Sequence, residues 1–293
     1  MSKTGDGDRV APDAPVRQTT EDTIMRSISV ITLTIAVLVF PRALTAQDDD
    51  RAQRWLRNCQ NNWEKDRAHF CELRNYTLRP QSKLSVDGRE NGGVSFHGWD
   101  RNEIRIIALI QANATDDNEA AGVVKQITVS TDGGRIRADG PSSQRRGWWS
   151  VSYEIYVPRH SNLEAVTQNG GVAAESVEGN LDFQATNGGI RVDDVAGDVH
   201  GETMNGGVSA TLSGTSWRGQ GLDLRTTNGG VSLTIPRAYN ARLETGTSNG
   251  GMRVDFPITV QGMIGKRIET QLGSGGPTVR VVTTNGGVRV SQQ

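Results

Sequence analysis

Carboxylates and guanidinium groups recur along this chain at the spacing of strand residues: Asp182, Arg191, Asp193, Glu202, Asp223, Arg225, Arg253 and Asp255. Two kinds of chemistry are open to such groups. Facing carboxylates, or a carboxylate beside an arginine, could act as acid and base on a polysaccharide carried by a β-helix. Repeated along an exposed sheet, the same groups could instead form a binding surface, or simply keep that sheet soluble. Their regular alternation favours the surface role, so the eight are a candidate binding surface and no catalytic residue is assigned. The histidines, His69, His97, His160 and His200, are scattered and make no metal motif. Calcium is disfavoured as well. Asn187-Gly188-Gly189 is followed by Ile190, Arg191 and Val192, without the third glycine and the aspartate that a calcium-binding nonapeptide roll needs. No metal and no other cofactor is expected.

The elements that must position these groups are marked by Asn-Gly-Gly, which recurs at Asn91, Asn169, Asn187, Asn205, Asn228, Asn249 and Asn285. The asparagines at 169, 187 and 205 are eighteen residues apart. A period near twenty with turn residues at one phase describes a stack of similar units, not an enzyme core of unique parts. Asn-Gly is expected to supply the positive-φ positions of a tight turn, with Gly170, Gly188, Gly206, Gly229, Gly250 and Gly286 following the asparagines. Aligned on the asparagine, the residues six, four and two places upstream form inward columns such as Leu181, Phe183 and Ala185, or Leu222, Leu224 and Thr226. Downstream the columns continue with pairs such as Ile190 and Val192. Alternation with polar residues gives the period of two of a strand with one buried face.

Like residues at equal phase favour a β-solenoid over an antiparallel meander, because parallel coils about 4.8 Å apart place them over one another. The asparagines could be a ligand-binding row, but turn chemistry alone demands these residue types, so they are read as corners whose amides pair in a ladder. The outward column just before them, Gln168, Thr186, Met204, Thr227, Ser248 and Thr284, is too mixed for an ice-binding threonine array.

Composition narrows the class further. Aromatic residues make up only 5% of the 293, against 35 glycines, which argues against a core of large side chains. A net charge of −1 removes the main argument for nucleic acid as a partner. Residues 28–40 are a continuous apolar run, preceded by Arg26 and followed by Pro41 and a small-residue stretch ending at Ala46. The run is short of the about 20 residues of a spanning helix and fits a cleaved secretory signal. Translation is then expected to begin at Met25, with a mature terminus near Gln47 and no stable transmembrane span after cleavage. No cysteine follows the run, so no lipid anchor is indicated. Cys59 and Cys71 are the only cysteines. In an exported protein such a pair is expected to form a disulfide, the alternative being two free thiols. Residues 51–67 are rich in helix formers, with Trp55, Cys59 and Trp63 on one face; pairing would require the chain to turn before Phe70.

From residue 84 a specific order of features emerges: an Asn-Gly turn, the corner Gly98-Trp99-Asp100-Arg101, a short helix over residues 116–126, a strand ending Tyr-Glu-Ile-Tyr-Val-Pro-Arg before Leu163, then Thr-x-Asn-Gly-Gly-Val repeats. With the closing Gly273-Ser274-Gly275-Gly276-Pro277 segment, this order resembles the bacterial "putative adhesin" family, exported proteins built on a domain of unknown function, over residues 84–290. The resemblance implies an exported solenoid-like protein and carries no catalytic residues.

The expected architecture is all-β. It comprises an extension and signal in residues 1–46, a helical disulfide-containing segment in 47–80, and a β-solenoid of two-strand coils with Asn-Gly-Gly corners in 81–293. The expected function is an exported, non-enzymatic structural or adhesive module of the cell envelope, periplasmic, surface-borne or secreted, whose partner is an envelope protein or a glycan. The alternative is a polysaccharide-acting enzyme on a β-helix.

Overall fold

The inward columns become the facing surfaces of two ten-stranded sheets in a computed structural model that describes residues 42–61, 68–142, 147–257 and 265–293. The expected start at Met25 and the apolar run lie outside the described residues. The elements are α1 (Arg42–Asn61), β1 (Ala68–Leu78), β2 (Leu84–Asp87), β3 (Val94–Trp99), β4 (Ile104–Ala114), α2 (Asp117–Gln126), β5 (Thr128–Ser130), β6 (Arg135–Asp139) and β7 (Trp148–Pro158). The regular repeats supply β8 (Leu163–Thr167), β9 (Val172–Glu175), β10 (Glu178–Ala185), β11 (Ile190–Asp193), β12 (Ala196–Thr203), β13 (Val208–Thr211), β14 (Gly221–Asn228) and β15 (Val231–Ile235). The chain closes with β16 (Ala241–Asn249), β17 (Met252–Val254), β18 (Arg267–Leu272), β19 (Thr278–Asn285) and β20 (Val288–Gln292). Sheet A runs β1-β4-β7-β3-β9-β11-β13-β15-β20-β17, and sheet B runs β18-β16-β19-β14-β12-β10-β8-β2-β6-β5.

Through the repeats both sheets are parallel and in register by repeat position: Leu181 pairs with Leu163 and Val199, and Ile190 with Val172 and Val208. Parallel stacking rather than a meander follows, because each coil buries its columns only against the coils beside it. Large and small side chains alternate along the columns. Phe183 lies between Ala165 and Gly201 and stacks across the core on Phe96, ring centroids 5.9 Å apart. The space above Gly201 belongs to Leu224, whose Cδ2 would be 2.6 Å from an added Cβ. Met252 and Val254, in the last coil, are only partly buried.

The glycine of Asn-Gly is required for a reason other than the expected one. No asparagine or glycine of the repeated motif has positive φ; in the repeats that conformation falls at the opposite corner, at Ser176 (57°), Asp194 (48°) and Gly197 (108°). What excludes a side chain is backbone proximity. A Cβ at Gly188 would lie 2.1 Å from the Gly170 carbonyl oxygen, and one at Gly206 would lie 2.2 Å from that of Gly188. Threonines secure the same carbonyls, Thr203 Oγ1 donating to Gly188 O and Thr226 Oγ1 to Gly206 O, both at 2.6 Å. Ala185 lacks the hydroxyl, and Thr167 of the preceding coil supplies the bond to Gly170 O.

Two further departures concern the ends. Of the expected helical segment, the described residues through Asn61 are helical, whereas residues 68–78 form β1, antiparallel to β4 at the edge of sheet A. An eleven-residue partner strand outcompetes helix here because its groups complete a ladder with β4. At the other end, the coil made by β19 and β20 inserts between the β14–β15 and β16–β17 coils, so spatial order departs from chain order. The short helix α2 is stopped and started by identifiable groups. Asp116 caps its first turn by accepting from Glu119 N at 2.9 Å, and Arg74 donates to the final carbonyls of Val124 and Ile127. Its buried Val124 joins the main core beside β4, closing the N-terminal end of the stack.

Candidate functional site

The eight predicted surface residues fall on two opposite outer faces, because strands of the two sheets alternate along the chain. Asp182, Glu202, Asp223 and Arg225 lie on sheet B, whereas Arg191, Asp193 and Arg253 lie on sheet A, with Asp255 directly after β17 and bonded through its N–H to Val290 O. They therefore do not form one continuous surface. On sheet B, Asp182 is in register with His200 and His200 with Asp223, while Glu202 faces Arg225 on the next strand. Arg225 forks onto its own-strand neighbour Asp223 at 2.9 and 2.5 Å, which raises the arginine's affinity for its proton. Among the described residues, Asp182 and Glu202 form no ion pair. On sheet A, Arg191 lies 3.7 Å from Asp193, and Asp255 accepts from Arg253 at 2.6 Å and from Arg289 at 3.2 Å. The Arg253 hydrogen bond, followed by that from Arg289, holds the Asp255 carboxyl below the usual carboxylate range.

Between the two faces runs the asparagine row. Each amide Nδ2 donates to the Oδ1 of the asparagine in the adjoining coil: Asn169 to Asn91 at 3.2 Å, Asn187 to Asn169 at 2.8 Å, Asn205 to Asn187 and Asn228 to Asn205 at 2.9 Å. Asn285 to Asn228 and Asn249 to Asn285, both at 2.8 Å, complete it. The row is exposed from Asn169 onward. All six bonds point one way, so the amide dipoles add and the donor end faces Asn91.

A cluster that sequence reasoning missed occupies the outer face of sheet A beside α1. His97 Nδ1 is 3.4 Å from Glu175 Oε2, and its ring is 5.1 Å from that of Tyr156. Trp99 packs on the same tyrosine at 5.4 Å and carries the Arg101 guanidinium 4.8 Å above its ring. His97 Nε2 and Glu154 Oε2 are buried without a hydrogen-bond partner. The sequence showed the Trp-Asp-Arg run as a corner; nothing in it revealed that pairing of β3 with β7 would bring Tyr156 alongside. Asp100 in that corner is held by Arg159 at 2.6 Å, and this hydrogen bond lowers the carboxyl's pKa.

Helix α1 covers part of this face, with Ala52 against Ile107 and Tyr156. Cys59 and Cys71 form a disulfide with Cα atoms 6.4 Å apart, tying the helix to β1. Free thiols are thereby set aside. Among the described residues no group of three or more histidine, cysteine, aspartate or glutamate side chains could hold a metal, and no helix is long and apolar enough to cross a membrane.

Two parallel-stacked sheets, a side-chain amide ladder and outward charges on both faces define a solenoid-like β domain. The sequence profile of the Toastrack DUF4097 family matches residues 81–291, and the chain belongs to that family. The resemblance drawn from the Trp99 corner and the Asn-Gly-Gly repeats is thus upheld for the family. No curated protein matches the chain. Among solved structures, a "putative cell adhesion protein" from Clostridium sporogenes is similar over 76% of this chain and 100% of its own, at 10% identity and a TM-score of 0.41. A "putative adhesin" from Bacteroides fragilis is similar over 76% and 97%, at 10% identity and a TM-score of 0.33. A "putative lipid binding protein" from Parabacteroides distasonis is similar over 76% and 96%, at 8% identity and a TM-score of 0.28.

Proposed function

We propose that this protein is an exported, non-enzymatic binding module of the bacterial cell envelope that presents its outward strand residues to an envelope protein or a glycan. The observation that carries the reading is the repetition of outward side chains at strand spacing on coils locked to one another by the amide ladder. A rigid array of this kind turns many weak contacts into useful affinity. The disulfide supports an oxidising compartment. Asp100, Glu164 and Asp255 have carboxyls displaced downward by hydrogen-bonded arginine or lysine, the direction opposite to that of a general acid working near neutral pH. The asparagine row is read as corner architecture rather than as the ligand site.

Screening the purified protein against glycan arrays and envelope extracts tests the proposal. Binding that is lost in Arg191→Ala/Arg253→Ala, or instead in Asp182→Ala/Glu202→Ala, identifies the face used; absence of binding in every format overturns it. Replacing Asn187-Gly188 by Ala-Ala separates the roles of the ladder. Unfolding is the expected result, and an intact fold with lost binding would reassign the row to ligand recognition. N-terminal sequencing of the mature protein checks the export signal, with a terminus near Gln47 expected.

A further inference from the structure

The seven Asn-Gly pairs carry a reactivity that the ladder itself does not use. A side-chain carboxamide followed by a backbone N–H can close into a ring: the amide nitrogen of the next residue attacks Cγ, and glycine, having no side chain, obstructs that attack least. The bond from the glycine nitrogen to Cγ forms, the Cγ–Nδ2 bond breaks, and the glycine proton leaves with Nδ2 as ammonia. Water then opens the cyclic imide at one of its two carbonyls, giving aspartate, or isoaspartate in which the chain runs through Cγ. Nothing is oxidised or reduced. For the ring to close, the carboxamide must leave the ladder and the glycine N–H must be free to attack, and the corners differ in both respects.

Asn169, Asn187 and Asn205 would each give up two side-chain bonds, one donated and one accepted. Asn228 and Asn285 are held by two as well, and the nitrogens that would attack them are engaged. Gly229 N donates to Asn285 O at 3.0 Å, and Gly286 N to Asn249 O at 3.1 Å. Asn91 accepts a single bond, but Gly92 is buried and its N–H donates to Gly88 O at 3.0 Å. Asn249 differs from all six. It is exposed, and among the described residues its side chain makes one hydrogen bond, from Nδ2 to Asn285 Oδ1 at 2.8 Å, while Gly250 N makes none. Room to move is greatest there too. An added Cβ would lie 2.9 Å from neighbouring backbone at Gly189 and 3.2 Å at Gly207, whereas at Gly251, the same position of the Asn249 corner, it would meet nothing within 4 Å.

We propose that Asn249 is a site of spontaneous deamidation in the folded protein, and that the bonding and packing of their corners protect the other six asparagines. The product lacks the Nδ2 donor and sets a carboxylate against the lone pairs of Asn285 Oδ1, so the final rung of the ladder becomes a repulsive contact. Lys266, whose Nζ donates to Ser248 O at 3.2 Å, puts a cation one residue from the new charge. Isoaspartate also adds a backbone carbon to the corner between β16 and β17, the corner that holds β17 in register with β20 at the edge of sheet A.

The test is peptide mapping of the purified full chain, incubated for weeks at mildly alkaline pH, once folded and once unfolded in guanidinium. Trypsin places Asn228, Asn249 and Asn285 in separate peptides, residues 226–237, 243–253 and 281–289, each asparagine preceded by threonine or serine and followed by two glycines. Mass spectrometry reads the exchange of NH2 for OH in each. In the folded protein Asn249 is expected to convert at least about fivefold faster than Asn228 or Asn285, because one fewer side-chain bond is given up and the attacking nitrogen has no backbone bond to lose. In the unfolded chain the three are expected to convert at comparable rates. In Asn249→Gln, which keeps a carboxamide but requires a larger ring, the early mass gain in residues 243–253 of the folded protein should disappear. Equal conversion of the three in the folded protein, faster conversion at Asn228 or Asn285, or an early gain that survives in N249Q overturns the proposal. An equal lead of Asn249 in the unfolded chain does so as well, since local sequence rather than the corner would then set the rate.

Discussion

Alanine at Gly229 separates the two explanations for the conserved-looking phase of glycine within the repeat, turn conformation and backbone proximity. An added Cβ would lie 2.0 Å from Gly206 O, and neither Gly229 nor Gly230 has positive φ. Relief requires the coil corner to move by more than an ångström away from its neighbour. Four hydrogen bonds cross that boundary: Asn228 N to Met204 O at 2.8 Å, Val208 N to Gly230 O at 2.9 Å, Asn228 Nδ2 to Asn205 Oδ1 at 2.9 Å, and Thr226 Oγ1 to Gly206 O at 2.6 Å. At about 1 kcal/mol net for each bond, losing two to four gives a destabilisation of about 2–4 kcal/mol. Gly230, the next residue, has its nearest neighbour 3.6 Å from an added Cβ. Alanine there should cost less than about 1 kcal/mol, because reduced freedom of the unfolded chain offsets part of any strain. Urea unfolding followed by tryptophan fluorescence and circular dichroism reads both variants on one scale. Equal losses in Gly229→Ala and Gly230→Ala, or a loss below about 1 kcal/mol in Gly229→Ala, would refute the proximity argument.

Cys59→Ser/Cys71→Ser should free α1 without melting the sheets, since the bond closes a separation of 12 residues and contributes about 3 kcal/mol to holding the helix on β1; limited proteolysis that spares α1 after reduction would contradict this. The lowered carboxyl of Asp255 binds its proton less readily in the folded state, so its contribution to stability is present above about pH 4 and is lost as pH falls through the folded value. Arg253→Ala should therefore shallow the acid limb of a pH–stability curve slightly, and an unchanged limb counts against that pairing. Burial pushes Tyr239 up to about 12, so the folded state keeps a phenolic proton that the unfolded chain loses from about pH 10. Stability associated with it should be complete below pH ~10 and fall as pH rises toward the folded value; Tyr239→Phe should flatten that alkaline limb in thermal melts taken at pH ~9 and ~11.5.

Much of the central architecture was legible because a single period carries it. Leu181, Phe183 and Ala185 alternate with polar neighbours, and the same phase recurs in the coils on either side, so burial and register could both be read by alignment on the asparagine. The physical role of the glycine was not legible. Asn-Gly has one chemistry in an isolated hairpin and another in a stack, and only the separation of adjacent coils decides between them. The helix over α1 was legible from residue propensity, but β1 was hidden, since its partner β4 is more than twenty residues away and supplies the ladder that makes Cys71 part of a sheet. The candidate surface was legible residue by residue and not as a surface. Alternation tells inward from outward, yet strands before and after each corner have opposite outward directions, and this divided Asp182 from Arg191.

The insertion of the final coil links the chain's end to the surface it displays. The β16–β17 coil follows β14–β15 in sequence, but the neighbouring position is filled by β19 and β20. The ladder accordingly passes from Asn228 to Asn285 and only then to Asn249. Until the last residues arrive, β17 has no strand beside it in sheet A, since its pairing is with β20. The Arg253–Asp255–Arg289 cluster is therefore assembled from segments 34 residues apart and cannot exist in an incomplete stack. At the opposite end, Asn91 and the Arg89 turn are joined to the first regular coil through Asn169. Charged and polar groups at both ends are thus positioned by contacts between coils, while the middle of the stack supplies the register that fixes the distance between them. A protein built in this way can change its outward residues without changing its spacing, provided that the corner glycines and the inward columns stay in phase.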